Sequence, residues 1–354
     1  MALRRIRSVA ALVLAIFFGC SAAYAGPDAS DAKANKIDMQ SYIPNTIPVL
    51  GTGGQKMADR VQRLTGGEVE IVYQPPGALV TTNEIWDAVS IGAVPSAWFY
   101  SSLAEGFIPS AALFTSFPFG PDATEYTSWW YQGGGEELWA EISAPFNIHS
   151  ELCTVVAPEA SGWFKKPIDS PEDLKGLKMR ITGLGAAVMQ KLGARAQSMG
   201  PGDTMTALNL GTLDAAEISF PALDKAIGLQ EHASHYYFPG WHQQSSFLMF
   251  IINKDVWNAL EDQQQAAIEE VCAANVAKTI AEGEAIQLQP LNDLVAGGTT
   301  VHYWSPEMLA AYEGAWNDVV AERAAADEDF ARVWKSISDF RANYKNWDDL
   351  GYLK

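Results

Sequence analysis

The sequence predicts an α/β fold in two lobes that face each other across a cleft. Three observations predict it. From residue 36 onward, strand-like and helix-like segments alternate. The length left after an N-terminal leader is too great for one comfortable core. A ten-residue pattern also recurs. Ala88-Val89-Ser90-Ile91-Gly92-Ala93-Val94-Pro95-Ser96-Ala97 is echoed 119 positions on by Ala207-Leu208-Asn209-Leu210-Gly211-Thr212-Leu213-Asp214-Ala215-Ala216. Each copy reads as a helix end, a glycine suited to a left-handed cap, and a short buried strand. Two copies point to two lobes, each built on its own sheet.

The elements follow in order. Arg4, Arg5 and Arg7 precede an apolar run over residues 9–18, and Ala23-Tyr24-Ala25 offers small residues to a signal peptidase. Residues 1–25 are therefore expected to be a signal peptide cleaved after Ala25, with lipoprotein processing at Cys20 and a retained anchor as alternatives. Residues 36–42 read as a strand. Residues 49–64 carry helical periodicity and stop at Gly66-Gly67. Residues 68–73 alternate as a strand, Pro75-Pro76-Gly77 turns, and residues 83–90 form a helix ended by Gly92. Ser170-Pro171-Glu172-Asp173 caps a short helix before a strand over residues 177–181. Residues 247–253 are an apolar strand, and residues 261–288 a long helix limited by Pro290. Residues 307–322 and 328–344 are amphipathic helices whose apolar stripes are expected in the core.

Loss of residues 1–25 removes three arginines and no acid. It leaves 329 residues with 21 basic and 42 acidic side chains, a net charge of −21. Such a chain will not hold nucleic acid or an anionic membrane non-specifically. For an anionic ligand, long-range steering is unfavourable, so a local positive group must win at short range. Cys153 and Cys272 remain, as a disulfide in an oxidising compartment or as two buried thiols.

Catalytic patterns are absent: no G-x-S-x-G elbow, P-loop or H-E-x-x-H occurs. His232, His235 and His242 lack a matched carboxylate spacing and read as surface or loop histidines rather than metal ligands. Twelve tryptophans suit a binder with stacking walls. In open α/β sheets ligands lie beyond the carboxyl ends of strands. Trp98-Phe99-Tyr100 follows the first copy of the echo and Glu217-Ile218-Ser219 the second. The cleft would then pair aromatic walls, Trp98 and Tyr100, with a carboxylate and a hydroxyl. Arg180, on the strand after the capped turn, is the candidate anchor. Its planar fork matches a carboxylate bidentately, and a surface ion pair on an edge strand is an equal alternative.

The stretch over residues 169–181, with Asp169-Ser170-Pro171-Glu172-Asp173-Leu174-Lys175-Gly176 leading into Leu177-Lys178-Met179-Arg180-Ile181, resembles the signature of solute-binding subunits of tripartite ATP-independent periplasmic (TRAP) transporters. Residues 207–217 do so too. Residues 73–80, Ala144-Pro145-Phe146, Gly162-Trp163-Phe164 and Tyr236-Tyr237-Phe238-Pro239-Gly240-Trp241-His242 bring the resemblance closest to the branch that binds 2-oxo acids and similar monocarboxylates. It runs from about residue 36 to the C-terminal helices.

The resemblance implies a periplasmic-binding-protein-like fold crossed by a long helix. Lobe 1 is expected from residues 36–157 plus 247–290, and lobe 2 from 158–246 plus 291–354 with the C-terminal helices. It implies a periplasmic protein that is not an enzyme, binds a small carboxylate such as a 2-oxo acid or lactate, and delivers it to TRAP membrane subunits. A monomer, or a dimer through the C-terminal helix, is expected. Arg180 would grip the substrate carboxylate. A cation beside it would be held by Glu217, the Ile218 carbonyl, and the positions of Glu159 and Gln243. The sequence departs from the branch at Glu159, where a glutamine is usual, at Ile218, where a tryptophan is usual, and across Trp98-Phe99-Tyr100-Ser101-Ser102, where tyrosines are usual. Glu159, Glu217 and a substrate carboxylate carry three negative charges against one on Arg180. A divalent ion would neutralise the remainder, so Ca2+ is expected over Na+. The alternatives are a metal-free site in which Glu159 meets a polar substrate group, a receptor feeding a sensor, and a secreted hydrolase using Glu159 and Glu217.

Overall fold

A computed structural model describes residues 35–351 and 353, so the signal peptide expected at residues 1–25 lies outside the described residues. The strands are β1 (Asn35–Ser41), β2 (Val69–Gln74), β3 (Ser96–Phe99), β4 (Ile148–Val156), β5 (Gly162–Phe164), β6 (Lys178–Arg180), β7 (Arg195–Gln197), β8 (Ala215–Ala216), β9 (His235–Phe238), β10 (Ser246–Asn253) and β11 (Thr300–Tyr303). They form two sheets, ordered β2-β1-β3-β10-β4 and β11-β9-β5-β8-β6-β7.

The two sheets repeat one plan. β1 lies parallel between β2 and β3, as β6 lies parallel between β7 and β8. β10 then pairs antiparallel with β3 and β4, as β5 does with β8 and β9. The internal echo marks this repeat. Gly92 and Gly211 hold φ of 75° and 73°, each ending a helix before the matching strand. Ala97 pairs with Gln40 and Ala216 with Arg180. Arg180 thus occupies in the second sheet the register that Gln40 occupies in the first.

The elements differ from expectation mainly at their ends. The segment expected as a helix over 83–90 is a 3-10 turn, Thr82–Glu84, followed by the helix Ile85–Ser90. The long helix is Asp262–Ala285, and Pro290 sits in the first turn of the next helix, Leu288–Ala296, where its missing N–H costs nothing. The long helix joins the two sheets. It packs on β4 and on the helix Leu50–Leu64. Gln264 near its start bonds Asn35, and just past its end Gln287 accepts the Ala222 N–H. Cys153 on β4 and Cys272 on this helix form a disulfide, with Cα atoms 4.1 Å apart.

Helix Pro306–Ala326 packs on Gly183–Lys191 of the second sheet's side. The last helix, Glu328–Gly351, turns back onto Pro109–Phe114 and Gly135–Ser143, elements next to the first sheet, through the buried Phe330, Val333 and Ile337. Among the described residues no helix is long and apolar enough to cross a membrane.

Candidate functional site

Besides the long helix, two segments pass between the sheets, residues 157–161 after β4 and 239–245 before β10. They lie side by side: Glu159 N–H donates to the Gln243 carbonyl (3.2 Å) and Ser161 Oγ to the Pro239 carbonyl (2.6 Å). Gly240 permits this contact, because a Cβ there would fall 2.1 Å from the Glu159 carbonyl oxygen. Glu159, His242 and Gln243 are thereby delivered to one point by backbone that crosses between the lobes. Arg180 and Glu217 arrive from the ends of β6 and β8.

These residues line a cavity of about 820 Å³. Tyr42 and Tyr100 form part of its wall on the first-sheet side, their rings 5.1 Å apart and tilted by 47°. The Tyr100 hydroxyl bonds Ser246 Oγ (3.2 Å), and burial, then the charge of Glu159, raises it above the ordinary tyrosine range. On the opposite side the helices Gly183–Lys191 and Pro201–Leu210 present their N-terminal ends, which favour an anion.

Arg180 is nearly buried. Its Nε donates to the Met199 carbonyl (3.1 Å), and Nη1 donates to the Glu217 carbonyl and to Glu217 Oε2 (3.2 Å). The guanidinium is therefore fixed, with Nη2 outside these bonds. Glu159 Oε1 accepts from Ser219 Oγ (2.9 Å), and Ser219 is itself placed by its N–H on Asp224 (3.1 Å). Gln243 Oε1 accepts from Ser116 Oγ (2.8 Å) and its amide donates to Ser246 (3.2 Å). Ile218 is half-buried in the cavity wall.

Two expectations need correction. Trp98 does not face the cavity. It is fully buried against the helix Leu50–Leu64, with Nε1 on the Leu50 carbonyl (2.7 Å), and the bare face of Gly54 makes room for its ring. Trp98 and Tyr100 are two residues apart and share a face, but Trp98 lies within β3 where the helix covers it, and only Tyr100, beyond the strand end, reaches the cleft. His242 lies on a turn, as expected, but not at the surface. It is 7% exposed, and its Nε2 stands 3.5 Å from both Glu159 Oε2 and Glu217 Oε1. Its place depends on two crossing segments meeting, which no local pattern reveals; its adjacency to Gln243 was the one available signal. Tyr42 was likewise not foreseen.

The electrostatics follow from burial. Burial raises Glu159, and Glu217 adds to that, against the pull of His242 and Ser219. Burial also raises Glu217, but His242 and Arg180 outweigh it and hold it below the ordinary carboxylate range. His242 loses by burial and gains more from the two carboxylates, so it ends above its usual range. Ligand atoms of Glu159, Glu217 and His242 all lie within 4.8 Å of one another, and neither ring nitrogen of His242 has a hydrogen-bond partner among the described residues. Two buried carboxylates converging at 3.5 Å on an imidazole that makes no closer contact to either fit a cation.

The family described as bacterial extracellular solute-binding protein, family 7, matches residues 41–327. A monocarboxylate 2-oxoacid-binding periplasmic protein of a Nostoc species is 35% identical over 334 residues, 92% of each chain. Among solved structures, a TRAP transporter solute-binding protein from Bordetella bronchiseptica superposes with a TM-score of 0.85 at 32% identity, covering 89% of this chain and 94% of that one. It is a mixed occupancy dimer with copurified calcium and picolinate. A TRAP periplasmic solute-binding protein from Pseudoalteromonas atlantica, with sodium and pyruvate bound, gives 0.84 at 27% identity, covering 89% and 96%.

Proposed function

The chain belongs to the family 7 bacterial extracellular solute-binding proteins, and from that premise we propose that it is the periplasmic receptor of a TRAP transporter. It captures a small monocarboxylate of the 2-oxo-acid type through Arg180 and a divalent cation, and hands it to the membrane subunits unchanged. The observation that carries this reading is the convergence of Arg180, Glu159 and Glu217 in one buried cluster at the crossing between two sheets.

The guanidinium of Arg180 is held by Met199 and Glu217, so its remaining edge meets the carboxylate with little ordering left to lose. The N-terminal ends of Gly183–Lys191 and Pro201–Leu210 add to the attraction. A bound cation would supply the positive charge that makes two protein carboxylates and one substrate carboxylate tolerable in a closed cleft. Glu159 and Glu217 would hold it, with the Ile218 carbonyl and Gln243 as further donors. Two acidic side chains favour Ca2+ over Na+ on the charge balance. The related proteins from Bordetella and Pseudoalteromonas, which hold calcium with picolinate and sodium with pyruvate, support a cation beside a carboxylate here.

Residues 36–157 plus 247–290 would form one moving body and 158–246 plus 291–327 the other, with residues 157–161 and 239–245 as hinges. The last helix travels with the first body. Its final turns, with Leu350 exposed, are the part available to a second copy of the chain in a dimer. A thermal-shift panel of pyruvate, other 2-oxo acids, lactate and C4-dicarboxylates tests the reading. Monocarboxylates should raise the melting temperature, and NMR should recover them unaltered. Consumption of the ligand, or a response confined to dicarboxylates, would contradict it.

A further inference from the structure

We propose that His242 is a third side-chain donor of the cation site, and that it gives first-row divalent transition ions, Co2+ and Zn2+ among them, a tighter hold than Ca2+. The inference rests on the cation-bridged reading above and adds which ions the site favours. Three observations carry it. His242 is 7% exposed, and neither of its ring nitrogens has a hydrogen-bond partner among the described residues. Nε2 has only the two carboxylates at 3.5 Å, too far for a good charge-assisted hydrogen bond, and Nδ1 has no hydrogen-bond partner among the described residues, which is costly for a buried ring.

Nε2 is also equidistant, 3.5 Å, from an oxygen of Glu159 and an oxygen of Glu217. An imidazolium serving only as counter-charge would close to about 2.7–2.9 Å on one carboxylate. Equal separation at 3.5 Å is instead what two ligand atoms show when they share one ion at bonds of about 2.0–2.2 Å. The ring is, moreover, held in place. Trp241 stands edge-on to it at 5.8 Å, and a Cβ on Gly185 would come within 3.1 Å of the His242 Cβ, so the helix Gly183–Lys191 lies directly behind it.

The donor chemistry decides the ion class. Oxygen ligands alone suit Ca2+, and an imidazole nitrogen adds little for it. The same nitrogen is a strong ligand for Co2+, Ni2+ and Zn2+. A site with two carboxylates and one imidazole accepts Ca2+ through its oxygens and yields it to a transition ion that also engages the nitrogen. Transition ions would thus compete with Ca2+ at the ligand-capture step.

The test uses the mature protein stripped with chelator. Calcium, cobalt and zinc ions are each titrated calorimetrically in the presence of pyruvate, and the visible absorption of the Co2+ form is recorded. Co2+ and Zn2+ should bind at least 100-fold tighter than Ca2+. The substitution His242→Asn should remove most of that advantage, read as the ratio of the Co2+ and Zn2+ affinities to the Ca2+ affinity of the same protein, because only the transition ions engage the nitrogen. The absorption bands of the Co2+ form of the unsubstituted protein should be shifted from those of all-oxygen Co2+, as a nitrogen donor requires, a readout that needs no variant. A Co2+ spectrum that matches all-oxygen Co2+, or a His242→Asn protein that keeps the Co2+ and Zn2+ preference, overturns the inference. Pyruvate binding with Ca2+ but no imidazole effect leaves the cation-bridged reading intact and sinks only this one. Full pyruvate binding with no cation present sinks both.

Discussion

Arg180 spends part of its fork on Glu217 and Met199, and the remaining edge is the one we propose for the ligand, so its removal should cost both a contact and a paired charge. The substitution Arg180→Ala should weaken pyruvate binding by about 100-fold or more, roughly 2.7 kcal/mol, read by calorimetry with the melting temperature as a folding control. Arg180 was legible because a strand end places one side chain at the cleft mouth, and Glu217 because the echo marks the matching strand end. Trp98 was misread because the same strand turns it to the helix behind. Asp224 offers a pH test. It is fully buried, and burial pushes it up to about 7, against the pull of Trp163 and Tyr236. Its folded pKa lies above its unfolded value near 4, so the folded state binds the extra proton between them. The stability it contributes is present at pH 4 and lost as pH rises through 7. The unfolding free energy from urea titration should therefore fall less between pH 5 and 8 in Asp224→Asn than in the unsubstituted protein, by on the order of 2–3 kcal/mol.

The helices and strands that the sequence analysis named follow from periodicity and glycine stops, since both are local, whereas Ala123–Gln132, Gly135–Ser143 and β4 were not read. What stayed hidden was how crossing segments meet. The turn at residues 239–245 packs on residues 157–161 through a glycine whose significance appears only when both are in place. Gly240→Ala should push the Glu159 carbonyl away and so lower carboxylate affinity by at least 10-fold together with a loss of stability, whereas Gly314→Ala, which meets nothing, should do neither. The state of the two cysteines was equally beyond the sequence, because spacing does not reveal that β4 and the long helix touch. Their disulfide spans 119 positions. Opening it with Cys153→Ser plus Cys272→Ser should cost up to about 4–5 kcal/mol in the chain-entropy picture, seen as a lower urea midpoint.

At the scale of the whole molecule, two lobes were legible from length and the internal echo, and the five strands of the first sheet find counterparts in the second, which adds β11 at its edge. The place of the last helix was not legible: an amphipathic stripe says that it packs, not on which lobe. Net charge has a kinetic consequence. An acidic protein repels an anion at long range, so the association rate for pyruvate should rise with added salt, the reverse of a steered encounter, in stopped-flow tryptophan fluorescence. On the proposed reading, capture is then decided inside the cleft, where Arg180 and a cation would outweigh the surrounding acids. The most direct test is calorimetry of pyruvate with chelator-dialysed protein, before and after Ca2+ is restored. Cation-bridged capture requires binding to collapse without the ion and return with it. Undiminished binding after chelation would contradict it.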